Sequence, residues 1–142
     1  DKKQLKEIEK DFLEVLQSDA KLPAKEYVCR QLAIMGTGRS VPVLAKMLYD
    51  EDLSDGARFA LEGIPDSSVD KALRLALDKL DGDRRVGIVN SLGERCDHKA
   101  IPALSKLRSG PDKALSAAVE TSLRKITART SHGQAGHAWG DR

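Results

Sequence analysis

Three histidines and two cysteines are the side chains of this 142-residue chain best suited to hold a metal or attack a substrate. His98 stands alone and is followed by Lys99, while His132, His137 and Asp141 lie in a glycine-containing tail. These last three have ligand chemistry but no fixed second shell to hold it in a geometry. No CxxC occurs, so zinc and dithiol redox chemistry lack their basic spacing. Cys29 sits three residues before Leu32 on an apolar helical stripe and reads as a small buried hydrophobe. Cys96 follows Arg95 at a helix end, where a cation can lower a thiol pKa, but only an exposed thiolate reacts, and Cys96 reads as an unreactive thiol. A catalytic nucleophile also needs a base and an orienting group in contact with it, and no such set is spaced for one site. The "GTG" at 36–38 follows no strand, so it is not a phosphate-binding loop. No catalytic residue, metal or cofactor is therefore expected, and the two cysteines are expected to stay unbonded.

The elements that would position any site follow from a repeat. The segments "CRQLAIMG", "RFALEGIP", "VNSLGERC" and "ETSLRKIT" align on Leu32, Leu61, Leu92 and Leu123, which step by 29, 31 and 31. Four residues earlier stand Val28, Ala57, Ile88 and Val119, and three residues later Met35, Ile64, Arg95 and Ile126. This is the i, i+4, i+7 face of an amphipathic helix, recurring at a fixed period. A second helix precedes each, marked by Leu44, Leu73 and Leu104, and "DKKQLKEIEKDFLEVLQ" fills the first such slot with its lysines and glutamates on the polar face. Ser40, Ser54, Ser68 and Asp112 stand where N-caps are needed. Pro42 and Pro102 fall in first turns, and Pro23, Pro65 and Pro111 fall between helices. No segment alternates strictly, so no strand is expected. Helical periodicity ends at Ile126, and Gly133, Gly136 and Gly140 disfavour a helix beyond it.

The bulk numbers agree with helices packed on helices: 40% apolar and 32% charged residues, but only 4% aromatic. The net charge of +2 is spread thinly, from −2 over residues 1–20 to +3 over 96–127, which is not the dense basic stripe of a nucleic-acid binder. No apolar run reaches the ~18 residues of a membrane span. The chain starts at Asp1 rather than Met, which reads as a processed or excised piece, soluble, and cytoplasmic or extracytoplasmic after loss of an N-terminal segment.

A proline-bearing helix, an acidic turn and a second helix with Arg or Lys make a recognisable order. Asp52 precedes Arg58 by six residues, and Asp19 precedes Lys25 by the same distance. This arrangement resembles the HEAT repeat, in the short form of bacterial and phycobilisome-lyase-type arrays. The resemblance covers about residues 3–127 and departs at Lys71, where proline is missing, and at Val89 and Ala118, where the base is missing. It implies an all-α, right-handed α-solenoid of about four HEAT-like helix pairs at 1–36, 37–64, 65–95 and 96–127, with a tail at 128–142. It further implies a non-enzymatic scaffold or protein–protein interaction module, part of a larger protein, with a protein or peptide as partner. The alternative is a chromophore-lyase-like protein that handles a small molecule. HEAT-type hydroxylases hold iron on His-Glu pairs, and no histidine here precedes a glutamate. HEAT-type DNA glycosylases need a basic, aromatic groove that this charge distribution does not supply.

In such arrays the second helices line the concave side. Two residues before each aligned leucine come Arg30, Phe59, Asn90 and Thr121, with Glu62 and Glu94 nearby. Arg30, Phe59, Glu62, Asn90 and Glu94 are thus the candidate interaction residues. Trp139 is expected to anchor the tail in a groove of the last helix pair or of a neighbouring copy.

Overall fold

The computed structural model describes residues 1–131. Those residues form eight α-helices and no strand, as the leucine period predicts: α1 (Lys2–Leu16), α2 (Leu22–Met35), α3 (Val41–Met47), α4 (Ser54–Gly63), α5 (Ser67–Lys79), α6 (Gly82–Glu94), α7 (Ile101–Lys106) and α8 (Lys113–Ser131). A single 3-10 turn leads into α3 (Gly38–Ser40) and another into α7 (His98–Ala100). Pro42 and Pro102 occupy the first turns of α3 and α7, where a missing N–H breaks no helical bond. Pro23 does the same inside α2, so it starts that helix rather than separating two. Helix α8 continues past Ile126 to Ser131.

The chain divides into two compact units, Asp1–Val69 and Asp70 onward. In the N-terminal unit α2 packs along α4 at glycines. A Cβ on Gly56 would lie 3.4 Å from the Cys29 sulfur, and one on Gly63 would lie 2.1 Å from the Ala33 carbonyl oxygen. Both numbers rise together along the two helices, so α2 and α4 run parallel, and only glycine allows the backbones so close at 63. In the C-terminal unit α6 and α8 are parallel by the same argument. A Cβ on Gly93 would lie 2.4 Å from the Ser122 hydroxyl, which itself donates to the Val89 carbonyl at 2.8 Å, and the Cys96 sulfur lies 4.0 Å from the Lys125 carbonyl. The aligned leucines sit at the core of each unit: Leu32, Leu61 and Leu92 have no exposed surface and Leu123 almost none. Truncating Leu61 or Leu92 to Ala would cost about 2–5 kcal/mol.

The caps differ from the sequence expectation because acids displace serines. Asp66 accepts from the Ser68 N–H at 2.9 Å and its hydroxyl at 2.6 Å, so the acid, not Ser68, closes the turn into α5. Asp50 accepts from the N–H groups of Asp52 and Leu53 ahead of α4, whose first residue is Ser54; the Ser54 hydroxyl is buried with no hydrogen-bond partner. Ser40 precedes α3 but turns its hydroxyl onto Glu9, 2.5 Å away. Asp112 does cap α8, accepting from the Leu115 N–H at 3.1 Å. Carboxylates accept these N–H bonds more strongly than hydroxyls do.

Glu9 is the second departure. The charged residues of α1 do not all face solvent: Glu9 is 2% exposed. Its carboxylate accepts from the Thr37 N–H (2.8 Å), the Thr37 hydroxyl and the Ser40 hydroxyl, and so ties α1 to the 3-10 turn before α3. The C-terminal unit holds its equivalent turn with ion pairs. Asp97 accepts from the Lys99 N–H and pairs with Arg74, while Arg95 pairs with Asp70. The exit from α6 is a Schellman motif: Asp97 N–H bonds the Leu92 carbonyl and Cys96 N–H the Gly93 carbonyl. Cys96 takes the left-handed position, φ 53°, that usually belongs to glycine.

Candidate interaction surface

Helix α2 buries Val28, Cys29 and Leu32 on one side. The opposite line at i, i+3, i+7 is Tyr27, Arg30 and Ile34, and all three are exposed, Tyr27 by 51% and Ile34 by 82%. On α4, Ala57, Ala60 and Leu61 are buried, while Phe59 is 56% exposed. Gly56 abuts Cys29 and Gly63 abuts Ala33, so Phe59, midway between the glycines, stands level with Arg30 on the adjoining helix. The N-terminal unit thus carries a two-helix face with three large apolar side chains around one guanidinium. Arg30 makes no ion pair or side-chain hydrogen bond among the described residues, and neither does Glu26 one turn before it.

Glu62 is half-buried and belongs to a different arrangement. Arg58 lies 2.8 Å from Asp55 and 3.9 Å from Glu62, one helical turn to either side. Asp52 does not join them, and Asp19 and Lys25 form no ion pair, so the six-residue spacing from acid to base does not become a contact.

The C-terminal unit offers an internal comparison. Aligning Leu92 on Leu32 and Leu123 on Leu61 places Gly87 at Tyr27, Asn90 at Arg30, Glu94 at Ile34 and Thr121 at Phe59. Asn90, Glu94 and Thr121 are exposed. Glu94 forms an ion pair with Lys125, and the Thr121 hydroxyl donates to the Ala117 carbonyl at 3.1 Å. Two units of like build therefore present different faces: apolar around a cation in one, small and polar in the other. Of the sequence candidates, Arg30 and Phe59 are exposed at the same level of adjoining helices in the first unit, and Asn90 and Glu94 lie on one helix of the second. Trp139 lies outside the described residues. Tyr27, Ile34 and Glu26 were missed, although the i, i+3, i+7 spacing of Tyr27, Arg30 and Ile34 was there to be read.

Other groups have less chemistry to offer. Both cysteines are free and buried. Burial pushes the Cys29 thiol up to about 11, with the Glu26 carboxylate adding to the shift. Cys96 is also raised, chiefly by burial, the opposite direction to the lowering that a cation at a helix end can give; the Arg95 guanidinium is engaged with Asp70. Among the described residues no three potential metal ligands cluster, and no helix is long and apolar enough to cross a membrane. Leu5 and Ile8 on α1 are also exposed, and Ile8 lines an open groove with Lys3, Gln4 and Glu7.

Neither family models nor curated proteins give a match to this chain.

Proposed function

We propose that the chain is a non-enzymatic protein–protein interaction module built as a right-handed HEAT-like solenoid, and that its contact surface is the α2–α4 face. The parallel second helices within each unit, the proline starts of α3 and α7 and the ~30-residue period support the HEAT-like reading. One observation carries the functional part: Tyr27, Ile34 and Phe59 are exposed at positions where the second unit keeps small or polar residues. Leaving a large apolar side chain in water forgoes about 1.5–3 kcal/mol each relative to full burial. Three on one face, around an Arg that makes no ion pair among the described residues, match the composition of a contact core, in which aromatic residues and Arg are enriched.

Selection of displayed random peptides against the full chain tests this. Peptides enriched on the wild-type protein should lose binding to Ile34→Glu and to Phe59→Ala, and keep it for Glu94→Ala. Enriched peptides indifferent to both ridge substitutions would contradict the assignment.

A further inference from the structure

We infer that the α2–α4 face takes the same face of a second copy of this chain, in a two-fold antiparallel arrangement. This rests on reading the face as a protein contact, and it names the partner.

The charge order on α2 points that way. Glu26 and Arg30 are exposed one turn apart and are not joined to each other, although Glu ahead of a base at i, i+4 is the favourable order within a helix. The ridge therefore offers one acid and one base, both unpaired among the described residues and of net charge zero. A strongly acidic or strongly basic peptide would satisfy one of them and oppose the other. An antiparallel copy of α2 satisfies both, because reversal sets Glu26 opposite Arg30 of the second copy and Arg30 opposite its Glu26.

The apolar groups obey the same reversal. Pro23, Tyr27, Arg30 and Ile34 lie along one line of the helix. Turned end for end, Ile34 meets Pro23 of the second copy, and Tyr27 meets the face of its Arg30, a cation–π arrangement made twice. A two-fold axis across the pair also brings α4 to α4. The charges of α4 are already matched there, with Arg58 set between Asp55 and Glu62, so Phe59 is what that helix contributes. A patch whose residues complement its own reversed copy meets the requirement of an isologous interface.

Sedimentation equilibrium of the full 142-residue chain tests the inference, run from about 1 to about 500 µM because dimer population depends on concentration. The expected result is a reversible monomer–dimer equilibrium that Ile34→Glu abolishes. Glu26→Arg and Arg30→Glu should each weaken it at least about tenfold by opposing like charges, and the double variant should dimerise clearly more tightly than either single, short of wild type by the two Tyr27–Arg30 contacts it loses. Circular dichroism should be the same for all four variants. A wild type that stays monomeric throughout, or a double variant as weak as the singles, overturns the inference. Monomeric protein that still binds selected peptides at Ile34 would overturn self-association alone. Dimers untouched by Ile34→Glu would place self-association on another face and overturn the inference, and the peptide selection would still decide the contact-surface reading.

Discussion

The Arg95 guanidinium meets the Asp70 carboxylate fork to fork, Nε 2.6 Å from Oδ1 and Nη2 3.3 Å from Oδ2, with the arginine side chain 1% exposed. The pair joins the start of α5 to the end of α6, beside the turn that Asp97 caps. A buried pair adds little over a well-packed apolar substitute, but removing one partner leaves a charge in low dielectric.

Asp70→Ala should therefore cost about 3 kcal/mol in urea unfolding, and Arg95→Met clearly less. The order follows from exposure: a lone Asp70 reaches water, at 17% exposed, whereas Arg95 does not. Equal losses for the two variants would show that the ion pair is not what stabilises this junction.

Glu9→Gln should destabilise by about 1–3 kcal/mol, because an amide offers one acceptor where the Thr37 N–H and the Thr37 and Ser40 hydroxyls need two. Hydrogen exchange localises the effect. The Thr37 and Ser40 amides should lose protection while those of α8 do not. A stability within experimental error of wild type would mean that the carboxylate is not needed at this turn.

Cys29 sets a pH dependence. Its folded pKa is raised from the ordinary 9.0 to about 11, so below pH 9 the thiol is neutral in both folded and unfolded chains. As pH rises through the window from 9.0 to about 11, the unfolded thiol ionises first and stability falls. At pH 10 the wild type should have lost about 1 kcal/mol more than Cys29→Ala has, each measured against its own value at pH 7.5. Parallel pH profiles for the two proteins would refute the shift.

The fold was legible where burial repeats. Leu32, Leu61, Leu92 and Leu123 mark the four second helices because each must face a core, and a core face writes its period into the chain. The caps were less legible because serine and aspartate compete for the same job: Asp66 takes it at α5, while ahead of α4 Asp50 closes the preceding turn and Ser54 becomes the first helical residue. Glu9 was hidden by its charge: its spacing from Phe12, Leu13 and Leu16 puts it on the covered stripe, but only the distant Thr37 and Ser40 explain why a carboxylate belongs there. Asp70 and Arg95 are 25 residues apart, and no local pattern joins them. The ridge was half legible. Arg30 and Phe59 follow from the leucine register, whereas Ile34 was overlooked because an apolar residue on a helix is read first as core.

The central claim is that partners engage the α2–α4 face, and the isoleucine methyls report on it directly. The chain has six isoleucines, of which Ile34 lies on the ridge, Ile8 on α1, and Ile64, Ile88, Ile101 and Ile126 in or near the core. A methyl spectrum of isoleucine-labelled protein, titrated with a selected peptide, should show Ile34 shifting first and furthest while Ile88, Ile101 and Ile126 stay in place. A stationary Ile34 with movement at Ile8 or Ile101 would contradict the account.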